Sequence, residues 1–490
     1  MIILIFAVII ITLKVVVLCI FKTLLLTNKL DMKNFTLITL LLLFALPSFG
    51  QLKVDGLFRT RMAMQHGYRN PIAKDIDPLF AADQRSRIIL NYKKEKYEVR
   101  FTLQDARVWG AEDMYNATGL QRSSYALGVY EAWVELKLSE FSKLRIGRQE
   151  WRYNASRLLS HRGWWTTGLS YDALLYKYHN KSKGLFFDLG ISYNNDMKSG
   201  TGGYVNAFPD RLKTVSFLNL KKNIGQKFNA TLNVVLSGRQ DDVLESALYM
   251  KSTEGIILNY NMNKKKEAGI FGSLSAYYQH GTQALKNGGN SKVSAYMLDI
   301  QLGYRTNNEK LSVSMGMELL SGHDQSNTDS IYKNETHTFD LLYGGCHPYY
   351  GGQMDYFVTP ANTMNGGLMD PYLRTKFKIN KKNSIQFNMF LPMLATNVNT
   401  KRLDASGNPV LFDKFLGVGA DLCYFRNISK DVKFKIAASF FNMSNSYREM
   451  RGFLTFDTNN AITDDNSGVQ YMIYTMLTIT PSFFDSSKKK

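Results

Sequence analysis

VSAYMLDIQLGYRTNNEKLSVSMGMELL, residues 293–320, decides the fold. Tyr296, Leu298, Ile300 and Leu302 hold one parity, with Asp299 and Gln301 on the other; Leu311, Val313, Met315, Met317 and Leu319 resume the pattern after Asn307-Asn308-Glu309. Strict alternation of this kind places a strand between two different surroundings, one on each face. The short polar stretch between them suits a tight reversal in water. The unit is an antiparallel hairpin.

Working outward, the same period runs from Val54 to the C-terminus. Val54, Phe58, Met62 and Met64 alternate with Asp55, Arg59, Arg61 and Gln65; Tyr97, Val99, Phe101 and Leu103 with Glu98, Arg100, Thr102 and Gln104; Tyr130, Ala132, Val134 and Leu136 with Glu131, Trp133, Glu135 and Lys137. Eighteen such segments are expected, near residues 52–64, 84–94, 97–106, 128–138, 143–152, 169–179, 185–194, 212–221, 227–238, 253–262, 269–280, 293–305, 310–320, 371–379, 384–392, 415–426, 431–443 and 469–481. Their connections alternate between a few residues and a dozen or more, the longest covering 321–370. Short turns at one end and long loops at the other are the pattern of outer-membrane barrels, with short turns and both termini in the periplasm. Closure is required because an open sheet edge in hydrocarbon leaves backbone N–H and C=O groups unpaired. The expected fold class is therefore all-β, a transmembrane antiparallel β-barrel of about eighteen strands. Tyr92, Tyr97, Tyr171, Tyr176, Tyr178, Tyr193, Tyr277, Tyr278, Tyr304 and Tyr474, at strand ends, fit the aromatic girdles of the two interfaces.

Composition agrees. With 490 residues, 45% hydrophobic and 13% aromatic, the chain is too apolar for disorder, and too long for one compact domain unless that domain is a large closed sheet. The mean hydropathy of −0.22 is what a wall produces when half its positions face water. Residues 32–50 read as a signal peptide: Met32-Lys33-Asn34, an apolar run from Phe35, then Pro47-Ser48-Phe49-Gly50, with cleavage after Gly50. Residues 1–31 read as an upstream mis-start or an extra hydrophobic leader, a membrane helix being the alternative. Residues 51–490 are then the barrel. Four Lys and Asp31 fall in the leader, so the mature chain keeps a net charge of +16. Cys346 and Cys423 allow at most one bridge once Cys19 is removed with the leader.

If the apolar parity faces lipid, the other faces the pore. Inward basic positions include Arg59, Arg61, Arg85, Arg87, Arg100, Arg145, Arg374 and Lys376, together with Lys137, Lys378 and Lys435; inward acids are fewer, Glu98, Glu131, Glu135, Asp188, Asp299, Glu318 and Asp421. Arg59, Arg61, Arg85 and Arg87 share one hairpin and form a patch suited to carboxylates, since guanidinium forks bind them bidentately. Such basic lining favours anions. For any single residue the plainer role is to knit the wall by ion pairs.

LRIGRQEW at 144–151, then Arg157-Leu158 and Gly168-Leu169-Ser170-Tyr171-Asp172-Ala173, resembles the alginate export family of outer-membrane barrels. The longest loop adds Leu320-Ser321-Gly322-His323-Asp324, TFDLLYGGCHPYYGGQMDYF and Gly366-Gly367-Leu368-Met369-Asp370. The resemblance implies an eighteen-stranded monomeric barrel whose Arg-rich constriction passes an anionic polysaccharide. Within its strand motif Arg145 has the lumen parity and Arg148 the other, nearer the rim. Trp164, Trp165, Tyr349 and Tyr350 offer flat faces for sugar rings or for anchoring at the interface. The final strand is expected to serve the barrel-assembly machinery, although Phe483-Phe484 is followed by DSSKKK.

No H-E-x-x-H, G-x-S-x-G or phosphate loop occurs, and the seven His are scattered. No catalytic, cofactor, metal or nucleic-acid site is expected. The expected function is a passive, porin-like channel for anionic solutes in contact with outer-membrane lipid. The alternative is a structural or adhesive surface barrel with a shut pore, and a barrel enzyme ranks third.

Overall fold

The computed structural model describes residues 50–109, 127–194, 212–240, 247–262, 267–285, 289–345, 347, 349–457 and 459–487. The leader, Cys19 and Cys346 lie outside them. Eighteen long strands form the wall: β1 Gln51–His66, β2 Leu79–Lys93, β3 Tyr97–Val108, β4 Leu127–Lys137, β5 Ser142–Gln149, β6 Tyr171–Asn180, β7 Leu185–Tyr193, β8 Leu212–Ile224, β9 Phe228–Gln240, β10 Leu248–Tyr260, β11 Gly269–Ala284, β12 Asn290–Arg305, β13 Leu311–Leu320, β14 Leu368–Lys378, β15 Asn383–Phe390, β16 Gly417–Asn427, β17 Val432–Met443 and β18 Gln470–Ile479. Each coincides with one expected segment, give or take a few residues at its ends.

Neighbours in sequence pair antiparallel, and β18 returns to β1 with Phe58 opposite Ile479 and His66 opposite Tyr471. The cylinder is closed. Beyond β18 the chain keeps its pairing after an irregularity, Ser482–Asp485 lying against Lys53, Val54 and Asp55. Phe483 and Phe484 thus extend the last strand along the first.

The outward parity carries Met62, Ile88, Val99, Ile146, Leu189, Leu232, Ile256, Ile300, Met315, Leu422 and Ile473, all exposed on the bare wall, as a lipid-covered belt requires. Four placements need correction. Tyr171, Tyr277 and Tyr474, expected in the girdles, hold the inward parity of their strands and lie in the core inside the barrel, Tyr171 stacked on Trp151 and Tyr474 donating to Gln353. Tyr130 was placed on the lipid face, but a bulge opposite Thr102 and Leu103 changes the register of β4 and turns its ring inward, where it is 1% exposed. The alternation rule holds on either side of an extra residue but not across it.

The apolar core lies inside the barrel. Trp151, Leu158 and Leu159 of the β5–β6 connection pack with Phe339, Leu341, Tyr350, Met354, Tyr356 and Phe357 of the β13–β14 connection, and with inward Val235, Ala295 and Met297. The loop at 321–370 therefore folds into the lumen. Its two ends meet backbone to backbone: a Cβ on Gly322 would stand 2.1 Å from the Gly366 carbonyl carbon, and Gly367 has φ +67°. Only glycine fits that crossing.

Candidate functional site

The four arginines of the first hairpin come together as expected, and their donors are directed at a loop. Arg59 donates to the carbonyls of Gly163 (2.6 Å) and Trp165 (3.1 Å), Arg61 to that of Trp164 (3.2 Å), and Arg85 to those of Thr166 (2.6 Å), Gly163 (3.1 Å) and Trp165. Asp83 pairs with Arg61 at 2.6 Å, and Arg87 donates to Gln104 at 2.8 Å while lying 3.5 Å over the Tyr130 ring. A guanidinium presents five donors in a planar fork, so a few of them can satisfy most carbonyls of a tight inward turn. The 150–170 segment is held by this basic wall.

The opposite wall is acidic. In the ladder, Asp299 on β12 faces Glu318 on β13, which faces Asp370 on β14. Three carboxylates side by side are mutually destabilising unless cations or donors intervene. Arg157, reaching across from the 150–170 segment, supplies the cation: it lies 3.0 Å from Asp299 and 2.8 Å from Glu318, with its carbon 3.8 Å from the Tyr349 ring centroid. Burial pulls this guanidinium down, but Glu318, Tyr350 and Asp299 outweigh burial and hold it well above its ordinary value. The donors are backbone N–H groups of the long loop, Tyr350 to Glu318 (2.9 Å), Gly351 to Asp370 (2.8 Å) and Gln353 to Asp421 on β16 (3.2 Å). Lys251 adds an ion pair to Asp340 at 2.5 Å. Cys423 is a free buried thiol accepting from the Gln353 amide at 3.0 Å.

The loops also bind one another. Tyr343 N–H donates to the Leu158 carbonyl (3.1 Å) and Gly345 N–H to that of Ser156 (2.8 Å). Trp164 stacks on His347 at 3.9 Å, and Arg61 lies 4.1 Å from the same indole. Trp165 carries Arg162 at 4.4 Å, and Tyr349 carries Arg157. These aromatic rings are platforms for guanidinium groups.

The remaining expected lining residues sit in ion pairs along the wall. Arg100 meets Glu131 at 2.8 Å, and Arg145 meets Glu135 at 2.7 Å over the Trp133 ring. Arg374 lies 3.4 Å from Glu318, and Lys376 lies 3.2 Å from Glu309 near the periplasmic turn. Arg148 has the outward parity, bound to Asp172 at 2.7 Å.

Two cavities flank the loops. An outer one of about 620 Å³ is lined by Arg69, Arg152, His161, Arg162, Trp165 and Asp355 among others. An inner one of about 470 Å³ lies along β3–β7 and is lined by Glu98, Arg100, Trp133, Arg145, Arg152 and Lys177 among others. Arg152 lines both. It is exposed, and among the described residues no ion pair or side-chain hydrogen bond engages it. His161 beside it is held below its ordinary pKa, chiefly by burial and also by Arg152, Arg85 and Arg87, with Glu150 opposing. Arg152 was expected as the last residue of the strand segment 143–152, but β5 ends at Gln149 and Arg152 lies in the connection with Arg157, where parity stops. Only the family motif containing Arg157-Leu158 pointed to this segment.

The family profile described as alginate export matches residues 52–188, which cover β1 to β6, the basic wall and the inward segment it holds. Over those strands the chain is similar to alginate-export outer-membrane barrels. No curated protein matches it in sequence. Among solved structures it is similar to OccAB1 of Acinetobacter baumannii (11% identity, 88% of this chain and 97% of that one, TM-score 0.54). It is also similar to OccK9 (OpdG) of Pseudomonas aeruginosa (10%, 88% and 98%, 0.55) and to the outer membrane protein OprD of the same organism (10%, 88% and 94%, 0.53). At such identities the likeness is one of fold. The barrel lies in the outer membrane of a Gram-negative bacterium, and the family it resembles over β1 to β6 and the fold it shares are those of outer-membrane channels.

Proposed function

We propose that this barrel is a monomeric channel for anionic solutes, an acidic oligo- or polysaccharide being the class that suits it best, and that it has no enzymatic role. The observation that carries the reading is Arg152, an unpaired guanidinium common to the outer and inner cavities. A solute moving between them passes this charge, and carboxylates gain from a guanidinium fork where water is scarce. Arg59, Arg61, Arg85 and Arg87 support the reading from behind the 163–166 backbone. Their charge reaches the outer cavity even though their donors are engaged, because a field does not need a free hydrogen bond. Arg100, Arg145, Arg374 and Lys376 belong to the same lining, partly compensated by their acids.

Reversal potentials in planar bilayers under a salt gradient test the proposal. Anion preference is expected, reduced in Arg152→Gln, with brief blocks on adding uronic-acid oligosaccharides. Cation preference in the parent would refute it. The loops filling the lumen favour a second reading, a structural or adhesive barrel with a shut pore; absence of any unitary conductance would select that reading.

A further inference from the structure

The short-turn end of the barrel is strongly basic, and none of the roles above uses it. Exposed lysines occupy or flank every described short turn, among them Lys94, Lys181, Lys310, Lys381 and Lys430. Exposed acids at this end are Glu95, Glu140, Glu267 and Asp431, several-fold fewer. The long-loop end differs: Asp75, Asp77, Asp329, Asp404, Asp413 and Asp464 are exposed there, and among the described residues exposed acids and bases are about balanced.

Strand parity adds direction to this asymmetry. Lys93 continues the inward series of Arg85 and Arg87, Lys137 that of Glu131 and Glu135, and Lys221 that of Phe217 and Asn219. Lys227 precedes inward Asn229, and Lys433 precedes inward Lys435. None of these five engages an ion pair among the described residues. They stand around the inner rim of the mouth, where a solute entering from the periplasm meets them before the inner cavity.

We infer that this lysine collar is a capture surface for a linear polyanion approaching from the periplasm. The inference rests on the anionic-solute reading and adds a face to it. A charged rim raises the local concentration of opposite charge and the encounter rate by about tenfold or more at low salt. The balanced charge at the other end gives no such help.

Polyglutamate, as probe polyanion, is added to one face at a time of oriented single channels. At about 0.1 M salt, block from the short-turn face is expected at a concentration at least about tenfold lower than from the loop face. The difference should vanish at about 1 M salt, where screening confines fields to about 3 Å. A variant carrying Lys93→Gln, Lys137→Gln, Lys221→Gln, Lys227→Gln and Lys433→Gln should lose the sidedness. Equal block from both faces, or stronger block from the loops, overturns the inference, and the wild-type salt series decides it even if the variant does not fold. Sidedness unchanged in the variant while its binding to phosphatidylglycerol vesicles falls would assign the collar to the lipid leaflet and overturn it too. Anion preference with symmetric block removes the collar alone, whereas cation preference with sided block removes the cargo reading alone.

Discussion

On β1 and β2 the barrel holds the 150–170 segment with guanidinium groups that donate to backbone carbonyls, whereas on β13, β14 and β16 it holds the 321–370 loop with carboxylates that accept from backbone N–H groups. Each wall uses the half of the peptide unit that matches its charge. The difference lies in what happens when the loop is removed. The basic wall would expose arginines, which water and Asp83 can still satisfy, while the acidic wall would lose the N–H donors of Tyr350 and Gly351 and be left with three facing carboxylates held by Arg157 and Arg374. Arg157 makes the acidic side the more fragile of the two, because it belongs to the other loop and ties both together.

The sharpest way to break this comparison is Arg157→Met. Removing one partner from a buried ionic cluster costs about 3–5 kcal/mol. Equilibrium urea unfolding in detergent should show that loss, with a larger and noisier unitary conductance, and adding Glu318→Gln should recover part of it. A loss under about 1 kcal/mol would mean that the carboxylates are not held by Arg157.

On the basic wall, Arg85→Met is expected to cost less, about 1.5–3 kcal/mol for the charged hydrogen bonds it removes. Limited proteolysis should then cut near Gly163 faster than in the parent, with the 321–370 loop still protected. Loss of protection in both loops would show that the walls do not act separately.

Asp370→Asn should cost under about 1.5 kcal/mol, since the weakened contact to Gly351 N–H is offset by relief of the repulsion with Glu318. Thermal unfolding compared with Arg85→Met checks the order.

The smallest effect concerns pH. His161 is held below its ordinary value, so it stays neutral at neutral pH and gains its proton only at more acidic pH than a free histidine. Below about pH 6.5 the unfolded chain binds that proton first, so stability should fall as pH falls through this window. The proton then adds positive charge to the outer cavity, and anion preference should rise slightly on acidification. His161→Gln should remove both slopes; persistence of either assigns it to another group.

Much of this was legible before any coordinates. Alternation located every strand because hydrocarbon on one face and a polar interior on the other impose a period of two that no other arrangement of these residues satisfies. The same parity placed Arg59, Arg85, Asp299 and Glu318 inside. It failed at Tyr130, where a bulge resets parity, and at Arg152, which it included in the segment 143–152 although the strand ends at Gln149.

The sequence by itself determined the strand count, the closed antiparallel wall and which side chains point inward, since these follow from local period and loop length. Only the tertiary structure decided that the inward charges hold loops, that Arg157 bridges two carboxylates and that Arg152 is common to both cavities. Those facts depend on where two long connections fold, and their path is set by contacts between residues more than a hundred positions apart, such as Arg157 with Glu318.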